Sequence, residues 1–96
     1  LGIDYEEKAF YDILDVVCEQ YGFEFDKDKM LELAREIKKI VDDTARFPDW
    51  SDRDDIKAQL KMEIIVKLHE FGYPPITQDE VYKNVLEQAE NFKRNR

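Results

Sequence analysis

Three kinds of side chain in this 96-residue sequence could carry chemistry: the one imidazole, His69, the one thiol, Cys18, and a large stock of carboxylates, among them Asp26 and Asp28 flanking Lys27. Catalysis by such groups needs a nucleophile with a base beside it, or a cluster of metal ligands. One imidazole cannot make a His pair for a metal. Position 69 also falls in the last turn of a predicted helix, where a ring able to carry positive charge complements the helix dipole. One cysteine rules out an intrachain disulfide and thiolate zinc centres of the usual kind. Val17 and Tyr21 put Cys18 near the apolar stripe of a helix, as a buried, inert thiol. Asp26-Lys27-Asp28 opens like a calcium loop but lacks the glycine and the later bidentate Glu at the required offsets, and helix capping explains it. No run of glycines precedes a Lys and a Ser or Thr, so a phosphate-binding loop is absent. The chain by itself is expected to hold no catalytic, cofactor-binding or metal-ligating residue, and to show neither nuclease nor ATPase activity.

Charged residues make up 40% of the chain and the net charge is −8. The length suits one domain with one modest core. No apolar run approaches the roughly 20 residues that span a bilayer, and no basic, apolar, small-residue sequence reads as a signal peptide; a cytoplasmic, non-membrane domain is expected. Residues 1 to 32 hold most of the acidic excess. The stretch from Leu33 to Met62 is nearly balanced and contains Arg35, Lys38, Lys39, Arg46, Arg53, Lys57 and Lys61. A domain that bound nucleic acid alone would normally show a basic excess on one face, so only a local basic strip in this middle segment could serve that purpose.

The elements that must position any site are helices. Asp4 with Glu7 forms a capping-box start for a first helix that runs to about Tyr21, with Phe10, Ile13, Leu14, Val17 and Tyr21 on one face and Gly22 as its stop. Phe23 and Phe25 fold back onto the core from a loop. Asp26 or Asp28 begins a second helix, with Met30, Leu33, Ala34, Ile37, Ile40 and Val41 on its face, ending near Asp43 to Arg46 before Pro48. A third helix is expected to start at Ser51, with Asp54 at the capping-box distance. Ile56, Leu60, Ile64, Leu68 and Phe71 form its stripe, and Met62, Ile65 and Val66 widen it, which implies a central helix buried on more than one side. Gly72 stops it. Thr77 and Glu80 form the capping box of the fourth helix, Ile76 and Val81 its hydrophobic staple, and Val81, Val85, Ala89 and Phe92 its face. Lys93, Arg94 and Arg96 complement its C-terminus, in a tail expected to fray. The expectation is one all-α, four-helix domain over residues 1–96, as a bundle or an orthogonal array.

Several short motifs stand in a definite order along these elements: Ala9-Phe10-Tyr11-Asp12, Asp49-Trp50 with Arg53, Lys57-Ala58-Gln59-Leu60, Val66-Lys67-Leu68, the corner Gly72-Tyr73-Pro74-Pro75, and Val85-Leu86-Glu87-Gln88-Ala89-Glu90. In order and spacing they resemble the C-terminal helical domain of the motor-endonuclease (R) subunit of type I restriction-modification enzymes. The resemblance implies a non-catalytic assembly module, part of a much larger polypeptide with an N-terminal nuclease and two ATP-driven translocase domains. Implied partners are the methyltransferase and specificity subunits, the subunit's own translocase domains, and DNA through the full complex. ATP and Mg2+ are implied for the full-length subunit alone. The nuclease core of such subunits is built on strands in another domain, and no motif for it is found here. A start at Leu1-Gly2 without Met fits an excised domain, and equally processing or a cloning scar.

Interaction candidates follow from the same motifs. The corner residues Gly72, Tyr73, Pro74 and Pro75 read first as structure: a helix stop, a tyrosine packed under the turn, and two prolines setting the exit angle. An exposed Pro-Pro beside a Tyr could also dock a partner. Trp50 reads first as a core plug between the second and third helices, and otherwise as a binding hot spot. Arg53 belongs to the same motif. Glu87 and Gln88 lie between the stripe residues Val85 and Ala89, where packing alone requires no motif, and the acidic first helix suits a basic partner. Alternatives are a nucleic-acid-contacting module, with Arg35, Lys38, Lys39, Arg46 and Arg53 converging on one face, and a helical adaptor unrelated to restriction.

Overall fold

The computed structural model describes residues 2–95. Four helices follow in order, α1 (Tyr5–Tyr21), α2 (Lys27–Thr44), α3 (Asp54–Glu70) and α4 (Gln78–Asn95), with 3-10 turns at Trp50–Asp52 and Pro75–Thr77. Each helix of 17 or 18 residues is about 26 Å long at 1.5 Å per residue, matching overall dimensions of 37 × 28 × 20 Å. Sequence neighbours pack together, and α4 closes on α1, so the helices form a ring. Phe10, Leu14, Val17, Met30, Leu33, Ile37, Leu60, Ile64, Leu68, Val81 and Val85 fill the centre with at most 1% of their surface exposed. Each contributes on the order of 1.5–3 kcal/mol by leaving water. The all-α, four-helix expectation holds.

The first two helix starts follow the sequence signals. The Asp4 carboxylate accepts from the Glu7 N–H at 2.7 Å, and Glu7 Oε1 accepts in return from the Asp4 N–H at 3.1 Å. Asp26 caps α2 by accepting from the Lys29 N–H. Phe23 and Phe25 lie in the connecting loop and pack against the core, as expected of them.

The other two starts differ from expectation. α3 does not begin at Ser51: residues Trp50–Asp52 form a separate 3-10 turn, and Arg53, in extended conformation, precedes the helix without a side-chain cap. Burying the Trp50 indole turns the chain before the helix can start, and the Ser51 hydroxyl instead accepts from Lys93 Nζ at 3.0 Å. The Thr77–Glu80 capping box does not form either. The Thr77 hydroxyl donates backward to the Pro74 carbonyl at 2.7 Å, completing the 3-10 turn, and the Glu80 carboxylate accepts from the Tyr21 hydroxyl at 2.9 Å. Ile76 is 77% exposed, so the hydrophobic staple to Val81 is absent.

α3 is not a central helix. Leu60, Ile64 and Leu68 are buried, while Met62 and Val66 stand on the opposite side, 61% and 49% exposed. In a ring of four helices each keeps one outward face, and on α3 Met62 and Val66 occupy it, with Ile65 partly buried. Tyr21, expected in the core, is also exposed, its ring held at the surface by its bond to Glu80. The α4 tail is helical to Asn95 and anchored rather than frayed, because Lys93 Nζ donates to the Pro48 carbonyl at 2.7 Å. Arg96 lies outside the described residues.

Gly72 ends α3 with φ +76°. Its N–H reaches the His69 carbonyl at 3.0 Å, and the Tyr73 N–H reaches the Leu68 carbonyl at 2.9 Å, the paired bonds of a Schellman stop. A Cβ on Gly72 would meet no atom within 4 Å, so only the backbone resists substitution. Gly72→Val is expected to lower the urea midpoint by an amount equal to roughly 1 kcal/mol or more, because a β-branched residue is strained at positive φ. Asn, which tolerates that region, should lose less; equal midpoints for Gly and Val would contradict a left-handed stop.

Candidate functional site

Several candidate residues serve the core. Tyr73 is 1% exposed; its hydroxyl donates to the Leu14 carbonyl at 2.7 Å and accepts from Cys18 Sγ at 3.6 Å. Phe23 and Phe25 flank its ring at centroid distances of 5.3 Å. Burial pushes both the Tyr73 phenol and the Cys18 thiol above their ordinary pKa, so each stays protonated at neutral pH and neither is a nucleophile. Pro74 is partly buried and Pro75 begins the 3-10 turn. The corner is therefore a structural hinge of fixed shape, with Pro75 and Ile76 at the surface.

Trp50 is a core plug, 2% exposed, in a turn that packs against α3. It shares a small cavity with Val41, Ala45 and Pro48 on one side and Ala89, Phe92 and Lys93 on the other, at the C-terminal ends of α2 and α4. The Lys93 ammonium lies 5.7 Å from the Trp50 ring centroid, within cation–π range. Arg53 makes two hydrogen bonds to the Asp55 carboxylate, at 3.1 and 2.9 Å, and an ion pair with Asp49 at 3.6 Å. It braces the turn into α3, and its guanidinium holds the Asp55 carboxyl below its usual range, chiefly by hydrogen bonding.

The middle basic residues do not present a free cationic strip. Arg35 pairs with Glu7, Lys38 with Asp4 and Asp42, Lys39 with Glu36, Arg46 with Asp43, and Arg53 as above. Each therefore has its charge offset by an adjacent carboxylate, and phosphate contacts would have to displace those partners.

Glu87 and Gln88 are placed differently. Glu87 is exposed and has no ion pair among the described residues. Gln88 lines an open groove of ≈ 410 Å³ between α1 and α4, with Tyr5, Ala9, Ile13, Val16 and Asn84. Tyr5 is 80% exposed and Val16 49%, so the groove presents apolar surface that the core leaves uncovered. Lys8 and Asp12 also border it, paired at 2.9 Å. Sequence reasoning singled out Gln88 but missed the α1 wall. The signal was available: Tyr5, Ala9, Ile13 and Val16 recur at helical spacing as a second apolar line beside Phe10, Leu14 and Val17.

Among the described residues no three of His, Cys, Asp and Glu stand together in a way that could hold a metal ion, and no helix is long and apolar enough to cross a membrane.

Comparison with known proteins agrees with the resemblance. A family described as "Type I restriction enzyme HindI endonuclease subunit-like, C-terminal" matches residues 1–95. The Type I restriction enzyme HindI endonuclease subunit of Haemophilus influenzae is 31% identical over 93 residues, covering 96% of this chain and 8% of its own length. No solved structure matches the chain. The family match over nearly the whole chain, with this relative, identifies the chain as a member of the family of C-terminal domains of type I restriction enzyme HindI-like endonuclease subunits.

Proposed function

We propose that this domain is a non-catalytic docking module of a cytoplasmic type I restriction enzyme, joining the endonuclease subunit to its methyltransferase and specificity subunits. In this reading the full-length subunit translocates and cleaves DNA with ATP and Mg2+ through its other domains, and the present domain supplies a rigid surface. One observation carries the reading: the α1–α4 groove exposes Tyr5 and Val16 and the outer edges of Ala9 and Ile13 beside the motif residue Gln88. An apolar groove edged by polar groups is the common form of a protein-docking site. The alternative of DNA contact by the middle segment is weaker, because Arg35, Lys38, Lys39, Arg46 and Arg53, the cations it calls on, are each paired with a carboxylate.

Glu87→Lys combined with Gln88→Ala tests the reading. Both positions lie off the buried face of α4, so thermal unfolding is expected to change by no more than about 0.5 kcal/mol. Sedimentation of the reconstituted complex should show weaker assembly of the full-length endonuclease subunit with its partners. Normal assembly together with lost ATP-driven translocation would instead assign the surface to contacts within the subunit.

A further inference from the structure

Resting on that docking reading, we propose that the α1–α4 groove takes one kind of occupant, a basic amphipathic helix of a partner protein. Two features of the groove carry this: its floor and its rims. The floor is the apolar line Tyr5, Ala9, Ile13 and Val16, facing Asn84 and Gln88. Four apolar residues at helical spacing on one helix, opposite a second helix, make a trough into which a third helix can lay its own apolar stripe.

The rims set the sign of its charge. On α1, Asp12 and Glu19 are seven residues apart and so share a face with Val16; on α4, Glu80 and Glu87 are likewise seven apart beside Asn84, with the single cation Lys83 between them, so each rim is net negative. Lys8 is the cation bordering the groove, and it is held by Asp12 at 2.9 Å. Glu19 and Glu87 are exposed and have no ion pair among the described residues. An occupant with Lys or Arg beside its apolar stripe finds opposite charge on both sides, whereas a nucleic acid backbone meets repulsion. A second copy of this chain, at net charge −8, meets repulsion too.

The probe is a synthetic 18-residue helical peptide with Leu at heptad a and d positions and Lys at the flanking e and g positions. It is titrated into the 96-residue chain, beside a Glu-flanked version and a scrambled peptide of identical composition. The Lys-flanked helix should bind, more weakly as salt rises, and the other two should bind at least about tenfold less well. Val16→Asp should abolish binding, and Glu19→Lys with Glu87→Lys should weaken it about tenfold. The same charge change made elsewhere, Glu24→Lys with Glu32→Lys, should leave binding unchanged. Equal binding of the scrambled peptide, preference for the Glu-flanked one, or wild-type affinity in Val16→Asp each overturns the proposal. So does specific capture of duplex DNA, or a dimer of the chain, that depends on Val16.

Assembly of the full-length subunit, carrying Val16→Asp, with its partner subunits separates this proposal from the docking reading. Assembly lost in the variant while no Lys-flanked helix binds even the unmutated chain leaves docking standing and overturns the basic helix. Intact assembly of the variant, with no peptide binding to the unmutated chain, overturns both.

Discussion

Trp50→Ala is expected to lower the stability of the domain by about 3–5 kcal/mol, the range for removing a large buried aromatic side chain. The indole is the plug on which the C-terminal ends of α2 and α4 meet, with Val41, Ala45, Ala89 and Phe92 around it. Its loss opens a hole that a rigid 3-10 turn cannot collapse to fill. Lys93 also loses the ring beneath its ammonium, although its bonds to Pro48 and Ser51 can persist. Against a total stability of roughly 5–14 kcal/mol for a domain of this length, the variant should melt at least about 12 °C lower. Calorimetry of the purified domain checks this, and a shift below about 4 °C, equal to less than 1 kcal/mol, would mean that Trp50 is not holding the helix ends together.

Tyr73→Ala should be of similar size, about 3–5 kcal/mol, and its comparison with Tyr73→Phe separates two contributions. The ring fills the space between Phe23 and Phe25, which Phe preserves. The hydroxyl bonds to the Leu14 carbonyl and accepts from Cys18, which Phe loses at about 0.5–1.5 kcal/mol. Urea unfolding of the two variants gives the split. The phenol also has an alkaline signature. Burial raises its folded pKa above the unfolded value of about 10. Its contribution is therefore complete below pH about 10 and falls as pH rises above that value, because only the unfolded chain then releases the proton. Tyr73→Phe should flatten that alkaline loss in part, the remainder coming from the other groups whose pKa values are raised, among them Cys18, Tyr21, Lys27, Lys38 and Tyr82.

Much of the fold was legible in the sequence because local rules governed it. Asp4 with Glu7 and the two glycine stops depend on residues within one turn of each other, and all took the expected form. The misreadings share a physical cause. Ser51 with Asp54 and Thr77 with Glu80 satisfy the capping pattern equally well on paper, but tertiary partners outcompeted it: Lys93 for the Ser51 hydroxyl, Tyr21 for the Glu80 carboxylate. Met62 and Val66 misled for a related reason, since periodicity reports which residues share a face and not whether a neighbour covers it. The groove was half visible. Gln88 came from a motif, while the α1 wall needed the knowledge that α1 and α4 pair, a contact between helices at opposite ends of the sequence.

That pairing bears on how the molecule reaches its folded form. The Tyr5 ring lies 6.4 Å from Phe92 and the Phe10 ring 5.7 Å from it, contacts that span almost the whole chain. The entropy lost on closing a loop rises with its length, so these contacts are the most expensive to form early, whereas α1 with α2 and α2 with α3 need only local closures. The ring of helices is therefore expected to shut last, at the α1–α4 seam. Because the groove is that seam, no partly folded chain possesses it. A partner reading the groove would engage finished molecules and pass over incomplete ones, a proofreading step set by the order of assembly alone.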